Sequence, residues 1–336
     1  MHPHPFPLSR KRERGNFERE MLAKHFPNAW LGRFPMSEGN DVTASRLSVD
    51  RNRAGDASQW PRRRFVKSSL AAGFAAAASS SIDVQALIST DDAGLNAGEV
   101  RIPGGDGQMP AYRAQPAGKN QLPTILVVHE IFGVHEHIKD VCRRFAKAGY
   151  LALAPDLYAR YGDASRAADM QAVRDIVSKV PDSEVLSDLA ATAHWAAANG
   201  GDAARVGITG FCWGGRITWL YAERHPELKA AVAWYGRLAG EASVTTPANP
   251  IDLAGSLQVP VLGLYGGADT GIPADTIERM KQALVSAPGR GAESRFVVYP
   301  DTPHAFFADY RPSYREQAAR DGWSRCLDWF KQHGLS

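Results

Sequence analysis

Arg205-Val206-Gly207-Ile208-Thr209-Gly210-Phe211-Cys212-Trp213-Gly214-Gly215 runs from an aliphatic, β-branched stretch straight into a Gly-x-Cys-x-Gly-Gly turn. Residues 214–224 then take up a helical pattern. Strand, sharp turn and helix in that order make a nucleophile elbow, here with cysteine in place of the commoner serine. The spacing has a physical basis. The flanking glycines let the strand and helix backbones approach without Cβ clashes. The turn pushes the Cys212 thiol into a cleft at a helix N-terminus, whose dipole favours a thiolate. The Trp213 N–H points into the same space as an oxyanion donor. The competing reading is a structural cysteine in a glycine-rich turn, since single buried cysteines are common.

Working outward, the chain alternates strands and helices from residue 97. Val100–Ile102 and Met109–Arg113 read as short opening strands. Thr124–Val128 is a continuous aliphatic run, the mark of a strand buried on both faces. Ile138–Ala148 has helical periodicity and stops at Gly149, a good cap residue. Strands follow at Tyr150–Ala154, Ala230–Trp234, Val259–Tyr265 and Arg295–Tyr299, with helices over 165–199 and over Ala274–Ser286. Pro312–Gln332 reads as the closing helix. The pattern predicts an α/β fold with a mostly parallel central sheet and helices on both faces. Ligands of such sheets bind beyond the carboxyl ends of the strands. No Gly-x-Gly-x-x-Gly or Walker loop follows a strand, so no nucleotide cofactor is expected.

The strand ends carry the chemistry. Gly266-Gly267-Ala268-Asp269 follows the strand ending at Tyr265, and Asp269 suits the orienting acid of a triad. Pro300-Asp301-Thr302-Pro303-His304 follows the last strand, and His304 suits the general base. Taken singly, a turn aspartate and one of ten histidines say little. The chain order Cys212, Asp269, His304 matches nucleophile, acid, base. His129-Glu130-Ile131-Phe132-Gly133 follows Val128, and the Ile131 N–H lies where the second oxyanion donor is expected. Glu130 puts a carboxylate at the cleft end of a buried strand; its bland reading is a loop-bracing acid. His135 and His137 sit two apart but lack further ligands, so no metal is expected. Cys142 and Cys326 fall within helices and read as core or surface thiols. An odd cysteine count argues against a disulfide framework.

The charge is uneven. Residues 1–86 hold 14 Lys/Arg and 8 Asp/Glu, whereas residues 87–336 hold 25 and 28. The basic balance belongs to the leader, and nucleic-acid binding by the remainder is not expected. Hydrophobic residues at 44% and charged residues at 22% are globular values. No strongly apolar run reaches the 18 residues of a membrane-spanning helix. Residues 1–60 are polar and irregular and read as a disordered or misassigned extension, with Met36 as a candidate start. Residues 61–86 combine Arg62-Arg63-Arg64-Phe65-Val66-Lys67, a weakly apolar Ser68–Ser80 and the small-residue ending Val84-Gln85-Ala86. These are the three parts of an export signal, of twin-arginine type. The expected partner is that export machinery and the expected location periplasmic or secreted, or cytoplasmic if the signal goes unused. Residues 87–336 read as one domain.

The motifs Glu130–Gly133, Pro155–Tyr158, Gly210–Gly215, Gly266–Asp269 and His304–Phe306 together resemble the dienelactone hydrolase (carboxymethylenebutenolidase-like) family of the α/β-hydrolase superfamily, over roughly residues 97–333. The resemblance implies that Cys212 is acylated, with His304 as base and Asp269 as its orienter. It further implies that Glu130 contacts the resting thiol and helps generate the thiolate. Members acting on dienelactone hold the substrate carboxylate with arginines, one of them four residues past the histidine. That position is Ala308 here, with Arg311 displaced nearby and Arg166 and Arg174 as candidates for the other. Tyr158 and Phe306 are the candidate aromatic contacts. The expectation is a cofactor-free hydrolase of a small carboxylic ester or lactone. Alternatives are a thioester or aryl ester substrate, or a non-catalytic binding protein on the same fold.

Overall fold

The computed structural model describes residues 89–105 and 107–336. The leader, with its extension, signal segment and Met36, lies outside the described residues. Eight strands form one sheet: β1 (Leu95–Gly104), β2 (Gly107–Pro116), β3 (Leu122–Val128), β4 (Leu151–Pro155), β5 (Gly201–Phe211), β6 (Ala230–Trp234), β7 (Val261–Gly266) and β8 (Arg295–Tyr299). Their order across the sheet is β1-β2-β4-β3-β5-β6-β7-β8. β1 and β2 form an antiparallel hairpin, β2 runs antiparallel to β4, and all remaining pairs are parallel. The sheet is thus the mostly parallel one that the alternation predicts, with an antiparallel edge. The opening strands are longer than the short apolar runs suggest. A hairpin at the edge needs burial on only one side, so its polar residues hid the strand length.

Among the described residues six helices have at least eight residues: α1 (Glu136–Lys147), α2 (Met170–Val177), α3 (Asp182–Ala198), α4 (Trp213–Arg224), α5 (Ala274–Leu284) and α6 (Glu316–Gln332). α1 and α6 pack together through Phe145, which meets Trp323 and Phe330 at ring separations of 4.6 and 6.2 Å. α3 and α4 are joined by a buried ion pair from Arg216 to Asp182. Central strands between such layers are apolar throughout. Ile125, Leu126, Val127 and Val128 of β3 and every residue of β6 are fully buried, and each large aliphatic side chain so enclosed contributes about 1.5–3 kcal/mol.

One sequence expectation needs correction. The closing helix begins at Glu316 rather than Pro312. Residues 312–315 are held instead by turns, with the Arg315 N–H donating to the Phe306 carbonyl at 3.0 Å. The stretch 165–199 holds helices as expected, with α2 ending at Val177 and α3 starting at Asp182 behind Pro181. Among the described residues no helix is long and apolar enough to cross a membrane.

Candidate active site

Cys212 sits between β5 and α4 with φ +55° and ψ −113°. A non-glycine residue in that region is strained and persists only when its surroundings enforce it. They do so here through close backbone contact. A Cβ on Gly210 would lie 2.2 Å from the Gly214 carbonyl oxygen, and one on Gly214 would lie 2.4 Å from that of Val128. The cysteine is 6% exposed and stands at the head of a twelve-residue helix. Trp213 opens that helix, so its N–H is one of the donors that a helix cannot satisfy internally. Among the described residues neither the Trp213 nor the Ile131 N–H donates to a backbone carbonyl outside the regular elements.

Asp269 and His304, 35 residues apart, meet through the loops after β7 and β8. The imidazole Nδ1 lies 2.6 Å from the Asp269 carboxylate. That carboxylate also accepts the Gly271 N–H at 2.9 Å, which fixes its orientation. Burial disfavours a charged His304. The Cys212 charge, the bond to Asp269 and a hydrogen bond to Cys212 outweigh it and raise the imidazole to about 10. The three strand-end residues therefore share one electrostatic environment.

Glu130 is 1% exposed at the end of β3. Its Oε2 accepts the Tyr310 hydroxyl at 2.7 Å, with His135 Nε2 3.6 Å away. Among the described residues its Oε1 has no hydrogen-bond partner, and no hydrogen bond joins Glu130 to Cys212. Burial alone would raise its pKa, but His135 and Arg311 overcome this and hold the carboxyl down at about 2. A carboxylate that acidic is a poor proton acceptor.

Arg311 faces Glu130, Cys212 and Tyr235, and its guanidinium lies 5.7 Å from the Phe132 ring centre. Ala308 is sealed in the core. Arg166 is 87% exposed and pairs with Asp163, and Arg174 hydrogen-bonds Gln171 on the surface. Arg174 lies on α2, whose one buried residue is Val173, and Arg166 lies in the turn Ala164–Arg166 that precedes it. Tyr158 is fully buried, with its ring 4.9 Å from that of Trp213 and its hydroxyl unpartnered. Phe306 is equally buried but packs between Trp234, Tyr235 and Tyr299, in the core. His135 and His137 stack at 6.0 Å yet serve different carboxylates, Glu130 and Asp309. Cys142 and Cys326 are fully buried thiols pushed well above the ordinary range by burial.

Sequence reasoning passed over two residues of this site. Tyr235 directly follows β6 with φ +37°, and its unpartnered hydroxyl shares the field of Glu130 and Cys212. Its position at a strand end was the available signal. Tyr310 had no such signal, because only the turn at 308–311 carries it back to Glu130.

The dienelactone hydrolase family model matches residues 109–334. A Methylorubrum extorquens protein provisionally named carboxymethylenebutenolidase is 60% identical over 277 residues, spanning 82% of this chain and 94% of its own. An Escherichia coli K12 protein of the same provisional name is 54% identical over 264 residues, spanning 78% and 96%. The crystal structure of a provisionally named dienelactone hydrolase from Klebsiella pneumoniae superposes with a TM-score of 0.68 at 56% identity, over 71% of this chain and 99% of that one. With the family model matched over residues 109–334 and relatives 54–60% identical across most of their own length, on a mostly parallel sheet flanked by helices, the chain belongs to the dienelactone hydrolase family.

Proposed function

We propose that this hydrolase cleaves a carboxylic ester or lactone through an acyl-cysteine intermediate on Cys212. The observation that carries the reading is the coupling of a strained, helix-head cysteine to an imidazole that is itself held 2.6 Å from a buried aspartate. His304 takes the thiol proton, and the thiolate attacks the carbonyl carbon. The tetrahedral oxyanion rests on the Trp213 and Ile131 N–H groups, each worth about 3–4 kcal/mol in such a site. His304 then gives its proton to the leaving oxygen as the C–O bond breaks. In a lactone that oxygen stays attached to the acyl chain. Water next attacks the thioester carbonyl as His304 takes its proton, the C–S bond breaks to release the acid, and the proton on His304 returns to the Cys212 sulfur. Asp269 keeps the imidazole in the tautomer that both steps need.

Around the thiol, Arg311 and the Tyr158 and Tyr235 hydroxyls supply fixed positive charge and hydrogen-bond donors. They suit an acyl substrate bearing its own carboxylate. Glu130, held by Tyr310, would exclude that anion until Arg311 is shared, which ties substrate entry to the thiol's surroundings. No cofactor enters any step. We further propose that residues 61–86 direct export by a twin-arginine route, since their basic, weakly apolar and small-residue parts occur in the required order.

The test is p-nitrophenyl acetate hydrolysis by wild type and Cys212→Ala, with mass spectrometry of acid-quenched wild type. The expected result is loss of at least a thousandfold in the variant and one acetyl group on Cys212. Equal turnover in both proteins, or acetylation elsewhere, sinks the acyl-cysteine route.

A further inference from the structure

His129 takes no part in the chemistry above, yet it is fully buried directly behind it. Its Nδ1 lies 2.7 Å from the Glu130 carbonyl oxygen. Its Nε2 accepts the Leu157 N–H at 3.2 Å. These two partners fix the tautomer. A backbone N–H aimed at Nε2 requires a lone pair there, so the proton sits on Nδ1 and is donated to the carbonyl. The ring also stacks on Trp213, with centroids 5.4 Å apart and planes within 15°, and meets Tyr158 edge-on at 4.6 Å. Burial keeps the imidazole neutral, with its pKa pushed down to about 4.

The Glu130 carbonyl and the Ile131 N–H belong to one peptide unit. No described peptide bond is cis, so that N–H points opposite to the carbonyl, away from His129. A bond that anchors the carbonyl therefore aims the N–H, and by polarising the amide it makes the N–H a better donor. The carbonyl also accepts the Gly133 N–H, but at 3.2 Å. The same imidazole braces the side chain of Trp213, whose N–H is the other proposed donor.

We infer that His129 is a positioning residue of the oxyanion hole, a neutral imidazole that locks the 130–131 peptide and backs Trp213 so that both N–H groups face the same oxygen. This rests on the reading that Cys212 forms tetrahedral intermediates. The geometry separates the two bonds by substitution. Glutamine takes the place of Nε2 and keeps only the acceptor for the Leu157 N–H. Asparagine reaches only the Glu130 carbonyl. Leucine keeps the bulk and neither bond.

The experiment compares kcat and KM on p-nitrophenyl acetate with the rate of Cys212 alkylation by iodoacetamide in His129→Gln, His129→Asn and His129→Leu. Alkylation needs the thiolate but develops no oxyanion. For His129→Leu the expected result is a fall in kcat of about 30- to 100-fold, with KM and the alkylation rate within about threefold of wild type. His129→Asn should restore kcat to within about threefold, and His129→Gln should not. A leucine variant whose alkylation falls in step with kcat, or one whose kcat is unchanged, overturns the assignment. If the leucine variant does not fold, the asparagine variant decides. Near-normal kcat with a lowered Tm supports the assignment, and lost kcat overturns it. Wild type without Cys212-dependent turnover would instead bring down the parent reading, and this assignment with it.

Discussion

Arg311 leans over the ring of Phe132 and faces the Glu130 carboxylate, so it brings a fixed positive charge to the thiol's surroundings. Ala308, the place where dienelactone-cleaving relatives are expected to carry an arginine, is closed inside the core. A guanidinium seven residues past His304 can serve the same cleft because the 305–311 segment is wound into turns, with the Ala308 N–H bonded to Ala305 and the Arg311 N–H to Ala308. A charged hydrogen bond to a substrate carboxylate is worth about 1.5–3 kcal/mol. Arg311→Met should therefore raise KM for a carboxylate-bearing lactone by about 10- to 100-fold while changing KM for p-nitrophenyl acetate by less than about threefold. Equal effects on the two substrates would remove Arg311 from anion recognition. Cys212, Asp269 and His304 could be named as candidates from the sequence because each lies in the turn or loop past a strand, one, three and five residues after β5, β7 and β8. Tyr310 was not, since its contact with Glu130 spans 180 residues and depends on a turn with no composition signal.

At the scale of elements, α4 must keep its first turn fixed against the sheet to hold the Cys212 backbone in its strained geometry. One anchor is the pair of 2.7 Å bonds from Arg216 to both oxygens of Asp182 at the head of α3, with a further bond from Arg216 to the Ala248 carbonyl. Both side chains are under a tenth exposed. Removing one partner leaves an uncompensated buried charge, at a cost of about 3–5 kcal/mol. Urea unfolding should show that loss for Arg216→Met, with the double variant Arg216→Met/Asp182→Asn recovering part of it. A single-variant loss under about 1 kcal/mol would mean that water replaces the pair. Element identity was readable from hydrophobic periodicity, whereas element ends were not. Pro312 is a good first residue for a helix, but the Arg315 N–H is committed to Phe306, and the helix starts only after that bond is made.

For the whole molecule, the charge split between residues 1–86 and the remainder accords with a leader destined for removal. If the twin-arginine proposal holds, wild-type protein expressed in an export-competent bacterium is recovered from the periplasm without its leader. The Arg62→Lys/Arg63→Lys variant should stay in the cytoplasm at precursor mass. Identical fractionation of the two would end the proposal. By itself the sequence determined the α/β class and the strand–turn–helix around Cys212, and placed Asp269 and His304 in loops after strands, because strand burial and a glycine-flanked turn are local constraints that short stretches of chain must obey. Tertiary structure alone decided which groups surround the thiol. It brought Tyr310 and Arg311 to Glu130, seated His129 behind the 130–131 peptide and turned Arg166 and Arg174 outward. Those outcomes depend on close approach between residues far apart in the chain, and a distance of a few ångströms across the cleft leaves no trace in sequence spacing.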